Sequence, residues 1–222
     1  MATPHPTAPA DPSAPAGAEI LVLVAHPELE QSRANSRLLQ TARSLQAEST
    51  PGRIEVRDLY ALYPDYLIDV EAEQAALAAA RTVVWVHPVQ WYSTPALMKL
   101  WMDDVLAFGW AYGPGGRALV GKCLWLVVST GGIEASYRQP GGEVPGFNRF
   151  LPAYRQTAEM VGMRFLEPLV FHGAHRAEAH EVHAHAHAFA QRLLALAGEP
   201  RADAVAPQPA VAADERRLTT DD

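Results

Sequence analysis

The sequence lacks most features of extracellular, membrane and nucleic-acid-binding proteins. It has one cysteine, Cys123, which excludes an intrachain disulfide and a CxxC site. No apolar run reaches the roughly 18 residues that a membrane helix needs, and the chain does not start with a signal-peptide pattern. With 18 Lys and Arg against 25 Asp and Glu, the net charge is −7, whereas nucleic-acid binding needs a basic face. We therefore expect a soluble, cytoplasmic protein without a nucleic-acid partner.

Both ends of the chain are poor in bulky apolar residues. Residues 1–17 are rich in Pro and Ala, and residues 199–222 repeat that bias with added charge. Neither segment buries enough apolar surface to offset the entropy of ordering it. We predict two disordered tails around a single domain at residues 18–198.

Within that domain, short β-rich apolar runs alternate with helical patterns. Strands are predicted at 19–25, 53–59, 82–88, 122–130 and 163–173, with Pro168 placing the last at an edge or bulge. Helices are predicted at 34–48, 70–81, 95–108, 144–161 and 176–197. This alternation predicts an α/β fold, a doubly wound five-stranded parallel sheet with helices on both faces.

In such sheets, ligands bind beyond the carboxyl ends of the strands. Neither GxGxxG nor GxxxxGK[ST] is present. The first strand instead runs into AHPELEQSRANSRL, with His26, Ser32, Arg33 and Asn35 near the start of a helix. Free backbone N–H groups at that start would bind a phosphate, while an ordinary N-cap is the alternative.

The loops after the third and fourth strands contain aromatic residues and paired glycines, respectively. Val89-Gln90-Trp91-Tyr92 places two flat rings where loops are usually small, before a helix with Thr94 as predicted cap and Pro95 at its first position. Ser129-Thr130-Gly131-Gly132 lets a ligand approach the backbone closely. The alternatives are an aromatic pair closing the core and a plain glycine turn. Together the three loops suit flavin mononucleotide, which is flat at one end and phosphorylated at the other.

Three motifs carry a resemblance to the flavodoxin-like NAD(P)H:quinone oxidoreductases. They are AHP…SRAN at 25–35, LYPDYLID at 62–69, and HPVQWYSTPALMKLWMD…GWAYGPGG at 87–116 with STGG at 129–132. Within that family the chain is most similar to the ancillary subunits of glutathione-regulated potassium efflux systems. The resemblance implies a flavodoxin-like fold with a flavin held by His26, Ser32, Arg33, Ala34, Asn35, Val89, Gln90, Trp91, Tyr92, Ser129, Thr130, Gly131 and Gly132. It also implies that Tyr137, Gly131 and Gly132 stabilise negative charge on the reduced ring, whereas Glu143 stands where larger relatives have a histidine.

The implied activity is two-electron, ping-pong transfer from NAD(P)H through FMN or FAD to a quinone. The sequence does not separate FMN from FAD, or NADH from NADPH. A non-catalytic regulatory subunit of a potassium efflux channel and a one-electron flavodoxin are the alternatives. The resemblance also implies a homodimer, and the helix at 95–108 is apolar on nearly every face, as an interface helix or a fully buried one would be. An antiporter partner would place the chain on the cytoplasmic face of the inner membrane.

A histidine-rich stretch follows the last strand. His180, His183 and His187 share one helical face, at a spacing that zinc or nickel sites use. Because flanking acids indicate a solvated face and no cysteine is near, we predict no metal site there. The histidines are predicted to form a surface that titrates near neutral pH.

Overall fold

The computed structural model describes residues 18–50, 52–138 and 146–198. Its strands are β1 (Ile20–Val24), β2 (Ile54–Asp58), β3 (Thr82–Pro88), β4 (Cys123–Ser129), β5 (Arg164–Phe165) and β6 (Leu169–Phe171). Its α-helices are α1 (Arg33–Glu48), α2 (Leu59–Leu62), α3 (Val70–Ala79), α4 (Ala96–Val105), α5 (Pro152–Met160) and α6 (Ala179–Gly198). The predicted tails, Glu143 and the start of the helix predicted at 144–161 lie outside the described residues.

The strands form one parallel sheet in the order β2-β1-β3-β4-β5, and β6 also pairs with β4. Every pairing is parallel, and Ile20 of β1 lies between Ile54 and Thr82. This order is the flavodoxin-like form of the doubly wound sheet, whose strand order reverses between β1 and β3. The predicted α/β class and flavodoxin-like fold are confirmed.

The prediction of one continuous strand at 163–173 is wrong, because the structure has two short strands there. The backbone N–H of Leu166 still donates to Leu124 O (2.8 Å), and the ladder resumes where Leu169 pairs with Val127. Pro168 lies between the two pieces and has no N–H to donate. The edge is therefore built from two short strands, β5 and β6, on the same side of β4.

Helices cover both faces of the sheet, because successive strand side chains point to opposite sides. Leu21 and Leu23 pack in a core with Trp101 of α4 and Tyr154 of α5. Ile20, Val22 and Val24 pack in a second core with Leu38 of α1 and Phe189 of α6. Among the described residues, no helix is long and apolar enough to cross a membrane.

The ends of several predicted helices differ from the structure: α6 begins at Ala179 rather than at 176, and α4 ends at Val105 rather than at 108. The pattern at 144–161 contains a 3-10 turn at Gly146–Phe150 before α5 begins at Pro152. α4 begins one residue later than predicted, with Pro95 at the N-cap position and no side-chain cap bond. Thr94 does not cap it, since its Oγ1 is buried without a hydrogen-bond partner among the described residues.

The phenol of Tyr60 in α2, just before the LYPDYLID motif, caps α4 instead. The backbone N–H of Leu97, in the first turn of α4, donates to Tyr60 Oη (3.3 Å). The same region is fixed by Glu73 of α3, which is fully buried and accepts hydrogen bonds from Tyr63 Oη (2.6 Å), Arg57 Nη2 (2.7 Å) and Trp101 Nε1 (2.9 Å). The 60–69 segment and the helix after the aromatic loop are therefore held in one arrangement.

Candidate active site at the carboxyl edge of the sheet

β1, β3 and β4 are adjacent in the sheet, so the loops that follow them meet at one edge. Asn35 at the start of α1 donates from Nδ2 to Ser129 Oγ at the end of β4 (2.8 Å). The backbone N–H of Val89, after β3, donates to Ser129 O (2.7 Å). Ser129 is thus hydrogen-bonded to residues of the other two loops. The three predicted loops are therefore joined by hydrogen bonds at one edge of the sheet.

The N-terminus of α1 has the geometry of an anion site. Ser32 is its N-cap and accepts a hydrogen bond from the backbone N–H of Asn35 (3.2 Å), which is the ordinary capping geometry given above as the alternative. The first N–H groups of a helix have no intrahelical partner and carry a partial positive charge. Arg33 does not point freely at this site, because its Nη2 donates to Ala177 O (2.8 Å) in the segment before α6.

Asn35 is the buried polar centre of this site. Its side chain is 1% exposed, and its Nδ2 also donates to Ser32 Oγ (3.0 Å). Its Oδ1 is buried without a donor among the described residues. Because a buried acceptor without a donor is costly, this atom would favour a ligand that brings a hydroxyl or N–H donor.

His26 lies at the other side of the first loop. Its Nδ1 accepts from the backbone N–H of Glu28 (3.0 Å), which leaves the proton of the neutral ring on Nε2. Burial lowers its pKa, the carboxylates of Glu28 and Asp58 act in the opposite direction, and the nearby His175 lowers it further. Near neutral pH, His26 is therefore an uncharged donor.

The aromatic loop after β3 is a strained two-residue hairpin. Gln90 N–H donates to Ser93 O (3.1 Å), and Ser93 N–H donates to Gln90 O (3.0 Å). Between them Trp91 (φ 47°) and Tyr92 (φ 64°) both have positive φ. A type I′ turn of this kind strongly favours Asn-Gly, because side chains clash in the left-handed region. Two bulky aromatics at these positions indicate a function that opposes local stability.

The two rings of this turn have different surroundings. Trp91 is 94% exposed, so its side chain gains almost nothing from packing within the chain. Tyr92 stacks on Phe150, with ring centroids 4.9 Å apart and planes 19° apart. The prediction that these aromatics serve a ligand rather than the core therefore suits Trp91, while Tyr92 also packs against the chain itself.

The glycines after β4 are required by close neighbours. A Cβ on Gly131 would lie 2.9 Å from His175 Cδ2, and one on Gly132 would lie 3.2 Å from the Tyr137 ring and hydroxyl. Neither backbone N–H donates to another described residue. The loop thus presents two amides at the sheet edge, backed by Tyr137 and His175.

Tyr137 belongs to an aromatic cluster that the sequence did not predict. Its ring lies 5.3 Å from His172, 5.5 Å from Phe147 and 5.8 Å from Phe150. Phe150 in turn stacks on Tyr92, which joins the second and third loops. The sequence did not indicate this cluster, because its members come from distant segments, the 146–150 turn and the end of β6.

The histidine-rich stretch divides between two environments. His180, His183 and His187 are exposed on α6, as predicted, whereas His185 is buried and stacks on Phe171 (4.5 Å). Within the described residues no cluster of His, Cys, Asp and Glu is arranged to hold a metal ion.

Known proteins match nearly the whole described domain. A family model described as flavodoxin-like fold matches residues 18–194. The ancillary protein KefF of the glutathione-regulated potassium-efflux system of Citrobacter koseri is 47% identical over 176 residues, covering 79% of this chain and 96% of the relative.

Solved structures show the same architecture. General stress protein 14 of Treponema denticola, in complex with FMN, is 34% identical with a TM-score of 0.71, covering 80% of this chain and 99% of that one. An NADPH-quinone reductase of P. pentosaceus is 27% identical with a TM-score of 0.63, covering 79% of this chain and 97% of that one. The chain belongs to the flavodoxin-like family, as the strand order and the three joined loops of its sheet edge indicate.

Proposed function

We propose that this protein is a flavin-dependent NAD(P)H:quinone oxidoreductase. The observation that carries the proposal is the strained Trp91-Tyr92 turn, which holds an exposed aromatic ring at the sheet edge where the N-terminus of α1 and two glycine amides also lie. A fold alone does not define an activity, but solved proteins of similar sequence and structure include an FMN complex and an NADPH-quinone reductase, which supports the proposal. FMN or FAD is the cofactor that this arrangement fits.

Each loop has a distinct part in holding the flavin. The N-terminus of α1, with Ser32, Ala34 and the backbone N–H of Arg33, would receive the phosphate, and Asn35 Oδ1 would accept from the ribityl chain. Val89, Gln90, Trp91 and Tyr92 would cover the ring. His26 would donate from Nε2 near the first loop.

The loop after β4 would set the charge of the site. Ser129 and Thr130 fix its backbone, and the amides of Gly131 and Gly132 would face the ring edge, with the Tyr137 hydroxyl beside them. Preorganised donors of this kind stabilise developing negative charge. Bound flavin supplies the two-electron chemistry between NAD(P)H and a quinone, so no general base is required of the chain.

The test is the visible absorption spectrum of the purified full chain. We expect a flavin spectrum, either as isolated or after adding FMN or FAD. It should bleach when NADPH or NADH is added without air, and return when a quinone is added. Protein that binds neither FMN nor FAD would overturn the proposal.

We further propose a homodimer. Leu100 and Met102 of α4 are only half-buried, and Leu67 and Phe108 are 76% and 69% exposed. Apolar surface of this kind marks interaction sites. Sedimentation of the full chain should give the mass of two copies.

The alternative function is a regulatory subunit of a potassium efflux antiporter, favoured by the 47% identity to an ancillary protein of such a system. The chain would then bind the cytoplasmic face of the inner membrane. Vesicles that contain the antiporter would distinguish the two functions. Stimulation of potassium flux by a flavin-free variant would support regulation alone, and stimulation only by flavin-loaded chain would couple both.

A further inference from the structure

His172 lies inside the candidate site although it comes from a different strand. It directly follows β6, whose last residue, Phe171, is opposite Ser129 in the parallel pairing with β4. The imidazole therefore stands beside the loop that begins at Thr130. Its ring centroid is 5.3 Å from that of Tyr137.

The hydrogen bonds around Thr130 fix which nitrogen of His172 carries a proton. Thr130 Oγ1 donates to Gly132 O (2.8 Å), and the same oxygen lies 3.0 Å from His172 Nδ1. A hydroxyl has one proton, which here is already donated. Nδ1 must therefore carry the proton and donate to Thr130, so Nε2 of the neutral ring has a free lone pair.

The neighbours of His172 keep this ring neutral while no anion is present. Burial lowers the pKa of His172, and the carboxylate of Glu134 acts in the opposite direction. The other faces of the ring meet the aromatic rings of Tyr137 (5.3 Å) and Phe147 (5.9 Å). No described residue hydrogen-bonds to Nε2, and within the described part of the chain Glu134 is the charged group that acts on this ring. An added negative charge at the site would favour the protonated ring.

We propose that His172 is a positioning and charge-compensating residue that takes up a proton at Nε2 when negative charge arrives at the Gly131–Gly132 loop. The inference rests on the proposed function, because reduction of the bound flavin supplies that charge. The proton comes from solvent, and the imidazole becomes imidazolium while keeping its Nδ1 hydrogen bond to Thr130. No bond to the cofactor forms or breaks in this step.

Potentiometric titration of the bound flavin at several pH values between 6 and 8 tests the proposal. Each proton taken up on two-electron reduction changes the equilibrium tenfold per pH unit, or about 30 mV. The potential of the wild-type protein should fall by about 30 mV per pH unit more steeply than that of His172→Asn. The Asn side-chain nitrogen retains a donor at the Nδ1 position but does not titrate.

Two controls make the result specific. His183→Gln removes an exposed α6 histidine outside the site and should retain the wild-type slope. His172→Gln replaces the Asn variant if the latter is not folded by circular dichroism. Equal slopes in the wild-type protein and a folded His172 variant would overturn the proposal.

A second readout needs no flavin. Nitrogen-15 NMR of the flavin-free chain should show His172 protonated at Nδ1, and Thr130→Val should abolish that preference while Thr130→Ser retains it. The Nε2-protonated tautomer in the wild-type chain would overturn the geometry on which the proposal depends. A chain that shows the expected tautomer but binds no flavin would refute the proposed function and, with it, the redox-linked proton uptake.

Discussion

At the scale of single residues, Trp91 is expected to lower the stability of the fold while it contributes to ligand binding. It occupies a position with φ 47°, where a non-glycine residue costs about 1 kcal/mol, and its side chain is 94% exposed. Asn tolerates this backbone conformation better than Trp. Trp91→Asn should therefore raise the free energy of unfolding of the flavin-free chain by about 0.5–1 kcal/mol, measured by urea titration.

The same substitution should weaken flavin binding. An aromatic contact contributes about 0.5–1.5 kcal/mol, so the dissociation constant should rise about twofold to tenfold, measured by flavin fluorescence. Met160→Asn is the control, since Met160 of α5 is also exposed (63%) but lies outside the site and its φ is not positive. This control should raise neither the free energy of unfolding nor the dissociation constant for flavin. Loss of stability in Trp91→Asn, or unchanged flavin affinity, would contradict the interpretation of the turn.

Residue types near strand ends predicted part of the site, but contacts between distant segments were not predictable. Ser32 as a cap and the paired glycines follow from local backbone chemistry. His172 lies within the strand predicted at 163–173, and nothing in its own neighbourhood shows that β6 aligns Phe171 with Ser129. The positive φ of Trp91 was equally hidden, since Trp-Tyr is not the sequence that such turns favour.

At the scale of elements, the first turn of α4 is stabilised by a residue of α2. Tyr60 Oη accepts from the backbone N–H of Leu97 (3.3 Å), whereas Thr94 Oγ1 is buried without a partner among the described residues. Tyr60→Phe should lower the free energy of unfolding by about 0.5–1.5 kcal/mol. Burial raises the pKa of Tyr60 to about 12, so the phenol stays protonated at neutral pH.

Thr94→Val is the paired variant for this prediction. It has the same shape and removes a buried hydroxyl that makes no bond, so it should leave stability unchanged or raise it slightly. Urea unfolding at pH 7 would compare the two. A larger loss in Thr94→Val than in Tyr60→Phe would restore Thr94 as the cap.

Strands were more predictable than helix ends in this chain. Central strands such as β3 are buried on both faces, which requires a continuous apolar run that stands out in the sequence. Helix ends depend on partners supplied by other segments, as Tyr60 does for α4. The split between β5 and β6 required the pairing with β4, although Pro168 indicated an edge or bulge.

At the scale of the whole molecule, one buried histidine lies on each side of the sheet. His87 of β3 is fully buried and stacks on Tyr154 (5.9 Å), while His185 of α6 stacks on Phe171 (4.5 Å). Burial lowers the pKa of each to about 4. Nε2 of each ring has no hydrogen-bond partner among the described residues. Both rings must therefore stay neutral in the folded protein.

The sign of the resulting pH dependence is fixed by linkage. An unfolded histidine titrates near pH 6.5, so between about pH 6.5 and 4 the unfolded chain binds more protons than the folded one. The stability from these two groups is complete above pH 6.5 and is lost as the pH falls towards 4. Each group accounts for a change on the order of 3 kcal/mol.

His185→Phe should flatten this dependence, because phenylalanine keeps the stack on Phe171 and does not titrate. Urea unfolding between pH 4.5 and 8 should show wild-type stability falling relative to the variant as the pH decreases, with most of the difference below pH 6.5. His183→Gln, at an exposed position of the same helix, should parallel the wild-type curve. Parallel curves for wild type and His185→Phe would mean that His185 takes up its proton at the same pH in the folded and the unfolded chain. The prediction that His185 stays neutral in the core on the α6 side of the sheet would then be wrong.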